Sequence, residues 1–201
     1  MRVFTVSAIC RLLTGAATIL IVGCAPLDVS MRYLPQTDVQ PVPGAESVRV
    51  AVQVDDLRSN TADIGTLANP LRTREITTND NVAQAVRDAV QIELRDRGFK
   101  IGADSAALVI HVNGLDVERR IGWVYKNNTH AMLMMQVEVM RKDGKVIYAH
   151  EAVGERGDTY IDADHSVGSA ERVMNLAVED CIQRLFADPK FIDALLKASK
   201  P

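Results

Sequence analysis

Cysteine and aromatic residues are scarce in this chain of 201 residues. It contains three cysteines, one tryptophan and 4% aromatic residues overall. Small secreted domains without a large core are usually held together by several disulfides, and three cysteines cannot supply such a framework. The core must therefore be built mainly from Val, Ile, Leu, Ala and Met, which make up most of the 47% hydrophobic content.

A strong charge of either sign is also missing. The formal net charge is −3 at pH 7, from 23 basic and 26 acidic residues. Proteins that bind nucleic acid usually carry a basic stripe or patch, and none is visible here. We expect no nucleic-acid partner.

The first 24 residues have the arrangement of a signal peptide. Arg2 and Arg11 precede an apolar run from Leu12 to Val22, and a small glycine then precedes Cys24. The stretch Ile21-Val22-Gly23-Cys24 resembles the bacterial lipobox. That resemblance implies that residues 1–23 are removed and that Cys24 becomes the N-terminus, carrying a diacylglyceryl group and a further acyl chain such as palmitate.

An uncleaved transmembrane anchor is the alternative for this segment. A spanning helix needs about 20 apolar residues, more than the run Leu12–Val22 supplies. Extending the run back to Val3 would place Arg11 near the bilayer centre, at a cost of about 2.5–3.5 kcal/mol. Lipidation is favoured, and two acyl chains already anchor a protein stably. Ala25 replaces the Asp of the inner-membrane retention signal, which implies the periplasmic face of the outer membrane in a Gram-negative bacterium.

The mature chain of 178 residues is long enough for one compact domain. It would carry 21 basic and 26 acidic residues, a formal charge of −5. Residues 24–46 predict a lipidated extended tether, which could hold the domain up to roughly 60–70 Å from the bilayer. Residues 47–200 are predicted to form a single periplasmic domain. The prolines of the tether are Pro26, Pro35, Pro41 and Pro43.

Hydrophobic periodicity predicts the order strand, helix, three strands, helix, helix. Asn81 offers an N-cap and Gly98 a C′ residue for the first helix. Lys142–Lys145, with its Asp-Gly pair, predicts a type I′ hairpin turn, and Gly114 a bulge. This order indicates an α+β fold, with one antiparallel sheet of about four strands and helices packed on one face. The predicted elements are strands Val48–Val54, Ala106–Val117, Ala131–Val139 and Val146–Gly154, and helices Asn81–Phe99, Ser169–Ala187 and Pro189–Ala198, with a further short strand possible at Arg74–Thr77.

Within the second helix the apolar positions cover a wide arc, which predicts deep packing. Leu176 is counted among the buried positions, and Leu176→Ala is predicted to cost about 2–5 kcal/mol. Cys181 is predicted to be a buried, inert thiol.

The chain resembles the YajG-type family of uncharacterised outer-membrane lipoproteins over about residues 15–198. The lipobox, the strand Val48–Val54, the long helix Asn81–Phe99 ending in Arg-Gly-Phe, and the final helix pair carry the resemblance. The family has no established enzymatic activity, so the resemblance implies no catalytic residues. It implies a fold similar in outline to periplasmic accessory lipoproteins of transport and envelope assembly.

The segment Arg119–Lys126 is the candidate contact surface. Arg120, Trp123 and Tyr125 belong to the residue types that dominate binding hot spots. The same segment keeps strand alternation, which favours a purely structural role in the sheet. Both interpretations stay open, and they differ in whether Trp123 is exposed in the isolated protein.

The densest set of possible metal ligands is Asp162, Asp164 and His165. Their spacing fits neither an EF-hand nor a zinc site, and acidic residues before a helix are favoured by its dipole. We expect a solvated loop there, with no metal site, no cofactor and no catalytic residues.

These observations predict a non-enzymatic outer-membrane lipoprotein that serves as an envelope binding or assembly accessory module. The expected partners are the membrane, through the lipid anchor, and an envelope protein or the cell wall. One alternative is an auxiliary lipoprotein subunit of a lipid or solute transport system. The alternative from another class is a metal-dependent hydrolase that uses the Asp162/Asp164/His165 loop.

Overall fold

The computed structural model describes residues 25–103, 106–122, 126–161 and 167–198. Within these ranges the chain forms one mixed sheet of eight strands and three α-helices. The elements are β1 Leu27–Asp28, β2 Arg49–Asp56, β3 Asp63–Asn69, β4 Arg72–Thr77, α1 Val82–Asp96, β5 Lys100–Ile101, β6 Ala106–Ile121, β7 Lys126–Arg141, β8 Val146–Ile161, α2 Val167–Ala187 and α3 Pro189–Ala198.

The long strand β6 organises the sheet, because it is paired on both edges. On one edge β7 pairs antiparallel along its whole length, and β8 continues the sheet beyond β7. On the other edge the first half of β6 pairs with β2 and the second half with β3, both parallel. β5 extends the sheet beyond β2, and β4 and then β1 extend it beyond β3.

The α+β class is confirmed, but the prediction of one antiparallel sheet of about four strands is wrong. Four of the pairings are parallel, and the sheet has twice that number of strands. The parallel pairing of β2 with β6 follows from the helix between them, since parallel neighbours need a crossover connection. β1 and β5 are two residues long, too short to show any period.

Helix α1 forms where its caps predict it. The Asn81 side chain accepts a hydrogen bond from the Gln84 amide at 3.0 Å, as an N-cap does. Gly98 follows the helix with a φ of 90°, in the left-handed region that glycine occupies without strain. The helix packs on β2 and buries one apolar stripe.

The predicted bulge and hairpin are both present. The pairing of β6 with β7 shifts register between Val112 and Gly114. At the β7–β8 turn, the Gly144 amide donates to the Arg141 carbonyl and the Arg141 amide donates to that of Lys145. The loop thus has three residues and ends in a glycine with a φ of 82°, instead of the predicted two-residue type I′ turn.

All three helices lie on one face of the sheet. The buried residues of β2, β6 and β7 are cross-strand partners, for example Val54 with Ile110 and Ile110 with Val137, so they share that face. Helix α2 approaches β8 closely at Gly154, where an added Cβ would lie 2.2 Å from the Ala177 carbonyl oxygen. Among the described residues, no helix lies on the other face of β6, β7 and β8.

Cys181 lies on the buried side of α2, as predicted, and is fully buried. Burial raises the pKa of its thiol to about 12, so the thiol is protonated and unreactive at neutral pH. Leu176, however, is 37% exposed, and its prediction as a buried residue is wrong. The helix turns about 100° per residue, so with Met174 and Ala177 facing the sheet Leu176 lies about 100° beyond Ala177, outside the buried arc.

The prediction of an extended tether over residues 24–46 does not describe its first part. Leu27, Val29 and Met31 are buried at alternate positions, and β1 pairs with β4. The alternation of these three apolar residues lets the segment pack as an edge strand despite the neighbouring prolines. We call residues 25–33 the N-terminal strap.

Polar side chains of the domain hold the strap in place. The Arg32 amide donates to the Asn175 side chain at 2.8 Å, and the Met31 amide donates to Asp80. At the end of the strap the Tyr33 hydroxyl donates to Glu93, a fully buried carboxylate that also pairs with Arg97. Burial and the Glu93 hydrogen bond raise the pKa of Tyr33.

The buried arc of α2 is tested by a matched pair of substitutions. Met174→Ala should lower the free energy of unfolding by about 2–5 kcal/mol, because it removes a fully buried side chain. Leu176→Ala, two residues away in the same helix, should cost less than about 0.5 kcal/mol. Urea denaturation of both variants checks this. Equal costs would show that the arc is misplaced.

Candidate functional site

Several connections of the sheet meet at one end of it, which we call the anchor end. The turn between β3 and β4 lies there, because Ala68 of β3 pairs with Arg120 near the end of β6. β7 begins and β8 ends at the same place, since Lys126 pairs with Ile161.

The N-terminal strap leaves the domain towards this anchor end. β1 runs parallel to β4, with Leu27 opposite Ile76, so the chain before Leu27 points towards the start of β4 and the β3–β4 turn. The Arg74 guanidinium donates to the carbonyl oxygens of Ala25 and Pro26. The first described residue is therefore fixed beside β4.

The β3–β4 turn holds an apolar side chain out into solvent. Leu71 is 89% exposed. The Asn69 side-chain oxygen accepts hydrogen bonds from the amides of Leu71 and Arg72, both at 2.9 Å, which fixes the turn. The leucine is thus presented by an ordered backbone at the anchor end.

The described part of the candidate contact segment divides between core and surface. Ile121 packs against the core, in line with the structural interpretation, and Arg119 is fully buried, which the sequence did not predict. The Arg120 side chain is 70% exposed and contacts Glu118 at 2.6 Å. Trp123 and Tyr125 lie outside the described residues.

The other predicted site residues are also outside the described part of the chain. These are Cys24, Asp162, Asp164 and His165. Among the residues that the structure does describe, no three His, Cys, Asp or Glu side chains are grouped as metal ligands.

We call the face of β6, β7 and β8 on which no described helix lies the open face, and no sequence motif indicated it. Its side chains form rows across the three strands. One row is Gly114, Met134 and Val153, and the next is Asp116, Met132 and Glu155. Both methionines are half-buried. The only trace of the open face in the sequence is that Met132 and Met134 alternate with the buried Leu133 and Met135 along β7.

Carboxylates surround the methionines on the open face. Glu118 is half-exposed, and the acidic residues Asp116, Glu151 and Glu155 are exposed. The strands around Asp116 partly desolvate its carboxyl group although the residue is exposed, and this desolvation together with the nearby Glu118 carboxylate raises its pKa, while His130 lowers it. The electrostatic potential of this face therefore favours cations.

A cleft of about 660 Å³ lies elsewhere, between the end of β2 and the start of α1. Its carboxylates are engaged within the protein. Asp56 forms an ion pair with Arg58 at 2.7 Å, Asp55 accepts from Gln53, and Asp80 accepts from the strap. Hydrogen bonding to Arg58 lowers the pKa of Asp56 against the opposing effect of burial. The acidic residues of this cleft therefore have a structural role, because each of these carboxylates already has a partner within the protein.

Comparison with known proteins gives a family. The sequence profile of a family described as uncharacterised lipoproteins matches residues 35–196. The chain belongs to this family. The predicted resemblance is thereby confirmed at the level of an uncharacterised bacterial lipoprotein family. No curated protein matches the chain.

Two solved structures are similar to this lipoprotein, and of these two only the first shows a shared fold. A protein of the DUF330 family from Xanthomonas campestris is 11% identical with a TM-score of 0.55, covering 83% of this chain and 95% of its own. A minor lipoprotein from Acinetobacter baumannii is 10% identical with a TM-score of 0.47, covering 76% and 96%. The Xanthomonas likeness, at this identity, is one of fold alone. Among the described helices of this lipoprotein none is long and apolar enough to span a membrane.

The raised pKa of Asp116 gives a pH-dependent prediction. A raised pKa means that the folded lipoprotein favours the protonated Asp116 carboxyl over the ionised form. Asp116 therefore contributes to stability below the unfolded pKa of about 3.9, and this contribution is lost as the pH rises through the folded pKa. Asp116→Asn keeps the side chain neutral. It should raise the free energy of unfolding at pH 7 and leave it unchanged near pH 3.5. Urea denaturation at both pH values measures this, and a less stable variant at pH 7 would contradict it.

Proposed function

We propose that this lipoprotein is a non-enzymatic binding or accessory module, anchored to the periplasmic face of the outer membrane by lipids on Cys24. Membership of a lipoprotein family and the lipobox-like sequence before Cys24 support the anchor. The open face, which no helix of the described part of the chain covers, supports a role in binding.

The route of the N-terminal strap is the observation that carries this proposal. Arg74 holds the carbonyl group of Ala25, the residue that follows the proposed lipidation site. Ala25 is thus fixed beside the folded domain, and the proposal puts the lipid on the residue that precedes it. Because the strap packs against the domain from Ala25 onward, it cannot act as a tether of roughly 60–70 Å. The proposed anchor then brings the domain onto the bilayer.

The orientation on the membrane follows from the same geometry. The anchor end faces the lipid, with Leu71 foremost on the β3–β4 turn. An exposed leucine gains about 1.5–3 kcal/mol when it is fully removed from water. At the membrane surface its burial adds to the hold of the acyl chains and limits tilting of the domain.

Lipidation at Cys24 has a direct test. Mass spectrometry of the protein extracted from membranes should show a chain that begins at Cys24 with added acyl mass. Cys24→Ser should accumulate as an unprocessed precursor, because the sulfur that receives the diacylglyceryl group is gone. If the wild-type protein extracted from membranes still begins at Met1, the proposed lipid anchor is wrong.

The orientation is tested with an environment-sensitive fluorophore on Leu71→Cys in the lipidated protein bound to vesicles. The fluorophore should emit at shorter wavelength in this sample than in the same labelled protein without its lipid, measured in solution without detergent. The matched control is Val146→Cys, since Val146 is 43% exposed and starts β8 at the opposite end of the sheet. The 16 residues of β8 span about 50 Å, so this label should stay in water. A blue shift at position 146 alone would invert the orientation.

A further inference from the structure

The open face combines an apolar strip with acidic margins. Met134 lies at its centre, between Gly114 on β6 and Val153 on β8. An added Cβ at Gly114 would come within 2.7 Å of the Met134 methyl carbon, so the methionine folds over the space that the glycine leaves. Methionine side chains adapt their shape to different apolar partners, which suits a binding surface.

The acidic margins lie directly beside this strip. Met132 has Asp116 opposite it on β6 and Glu155 opposite it on β8. Further along β7, Gln136 pairs with Glu151 and the half-exposed Glu138 pairs with Ala149. Each carboxylate is thus within one strand spacing, about 4.8 Å, of the row of β7 side chains.

Few cations balance these carboxylates. From Asn128 to Met140 on β7, and on the paired parts of β6 and β8, the open face carries five acidic side chains and one guanidinium. That guanidinium, of Arg120, is already paired with Glu118. His130 contacts Glu155 at 2.7 Å, and this contact strengthens when the imidazole is protonated. A second copy of the chain would bring like charges together, and anionic headgroups would be repelled.

We infer that the open face binds a basic amphipathic segment of a partner protein. Apolar side chains of that segment contact Met132, Met134 and Val153, and its lysines and arginines pair with the flanking carboxylates. An α-helix is about 10 Å across, the width of the three strands, so one helix covers the strip. This inference rests on the proposed binding role and specifies the chemistry of the partner.

The test uses the lipidated protein in zwitterionic nanodiscs and two synthetic helical peptides with the same leucine positions. One peptide carries lysine at its polar positions and the other glutamate, and binding to empty nanodiscs is subtracted. We expect saturable one-to-one binding of the lysine peptide, weakened as salt rises from 50 to 300 mM. The glutamate peptide should not bind.

Two variants and a matched control locate the site. Glu138→Gln with Glu151→Gln should weaken binding of the lysine peptide about tenfold, as expected for the loss of two close charge pairs. Met132→Ser with Met134→Ser should weaken it by a similar factor without changing its salt dependence. The control, Asp88→Asn with Asp193→Asn, makes the same charge change on α1 and α3 and should leave the affinity within twofold.

Equal weakening by the control, or unchanged binding in both open-face variants, would overturn the inference. Binding of the glutamate peptide with the same affinity would also do so. Failure of the proposed function is separate from these outcomes. If the protein does not incorporate into nanodiscs because Cys24 carries no lipid, the anchor is refuted, and the peptides are then titrated against the same chain in detergent-free solution.

Discussion

Double-sided pairing of β6 is the constraint on which the rest of the structure depends. Its first half holds β2 and its second half holds β3, and the bulge at Gly114 lies between the two pairings. The opposite edge holds β7 throughout. Because one strand serves all three neighbours, the helix layer on one face and the open face on the other are fixed by the same pleat.

Under the proposed lipidation of Cys24, the same arrangement would connect the sheet to the membrane. β3 brings β4 to the anchor end of β6, and β4 in turn pairs with the N-terminal strap. The proposed lipid on the residue before Ala25 would therefore be attached to the sheet through the pairing of β1 with β4 and through Arg74. If the proposed anchor is correct, a domain held in this way would present its open face at a fixed height and angle above the bilayer, which would suit a partner that is also part of the envelope.

Elements with local signals were predictable from the sequence. Helix α1 combines a cap at Asn81, a stop at Gly98 and a 3.6-residue period, and all three agree with the structure. Helix α3 begins at Pro189 after Asp188, whose carboxylate accepts from the Lys190 amide. Each of these features depends on residues within one or two turns of each other, so no tertiary information is needed.

Features that depend on distant partners were not predictable in the same way. The strap is ordered by Asp80, Glu93 and Asn175, which are 49 to 143 residues away in sequence. Arg119 is buried in spite of its charge, because tertiary context overrides the usual preference of arginine for the surface. The open face was visible only as alternating methionines, and its meaning depends on the absence of a helix over β7 within the described chain.

Hydrogen exchange on the native protein tests the central claim, that the N-terminal strap is built into the domain. The Val29 amide donates to the Thr77 carbonyl at 2.9 Å and the Arg32 amide to Asn175. We predict that both amides exchange slowly, at rates close to those of the β4 amides. Amides in the exposed stretch 36–38 serve as the internal control and should exchange fast. Fast exchange at Val29 and Arg32, equal to that of the control, would show a free tether and contradict the account.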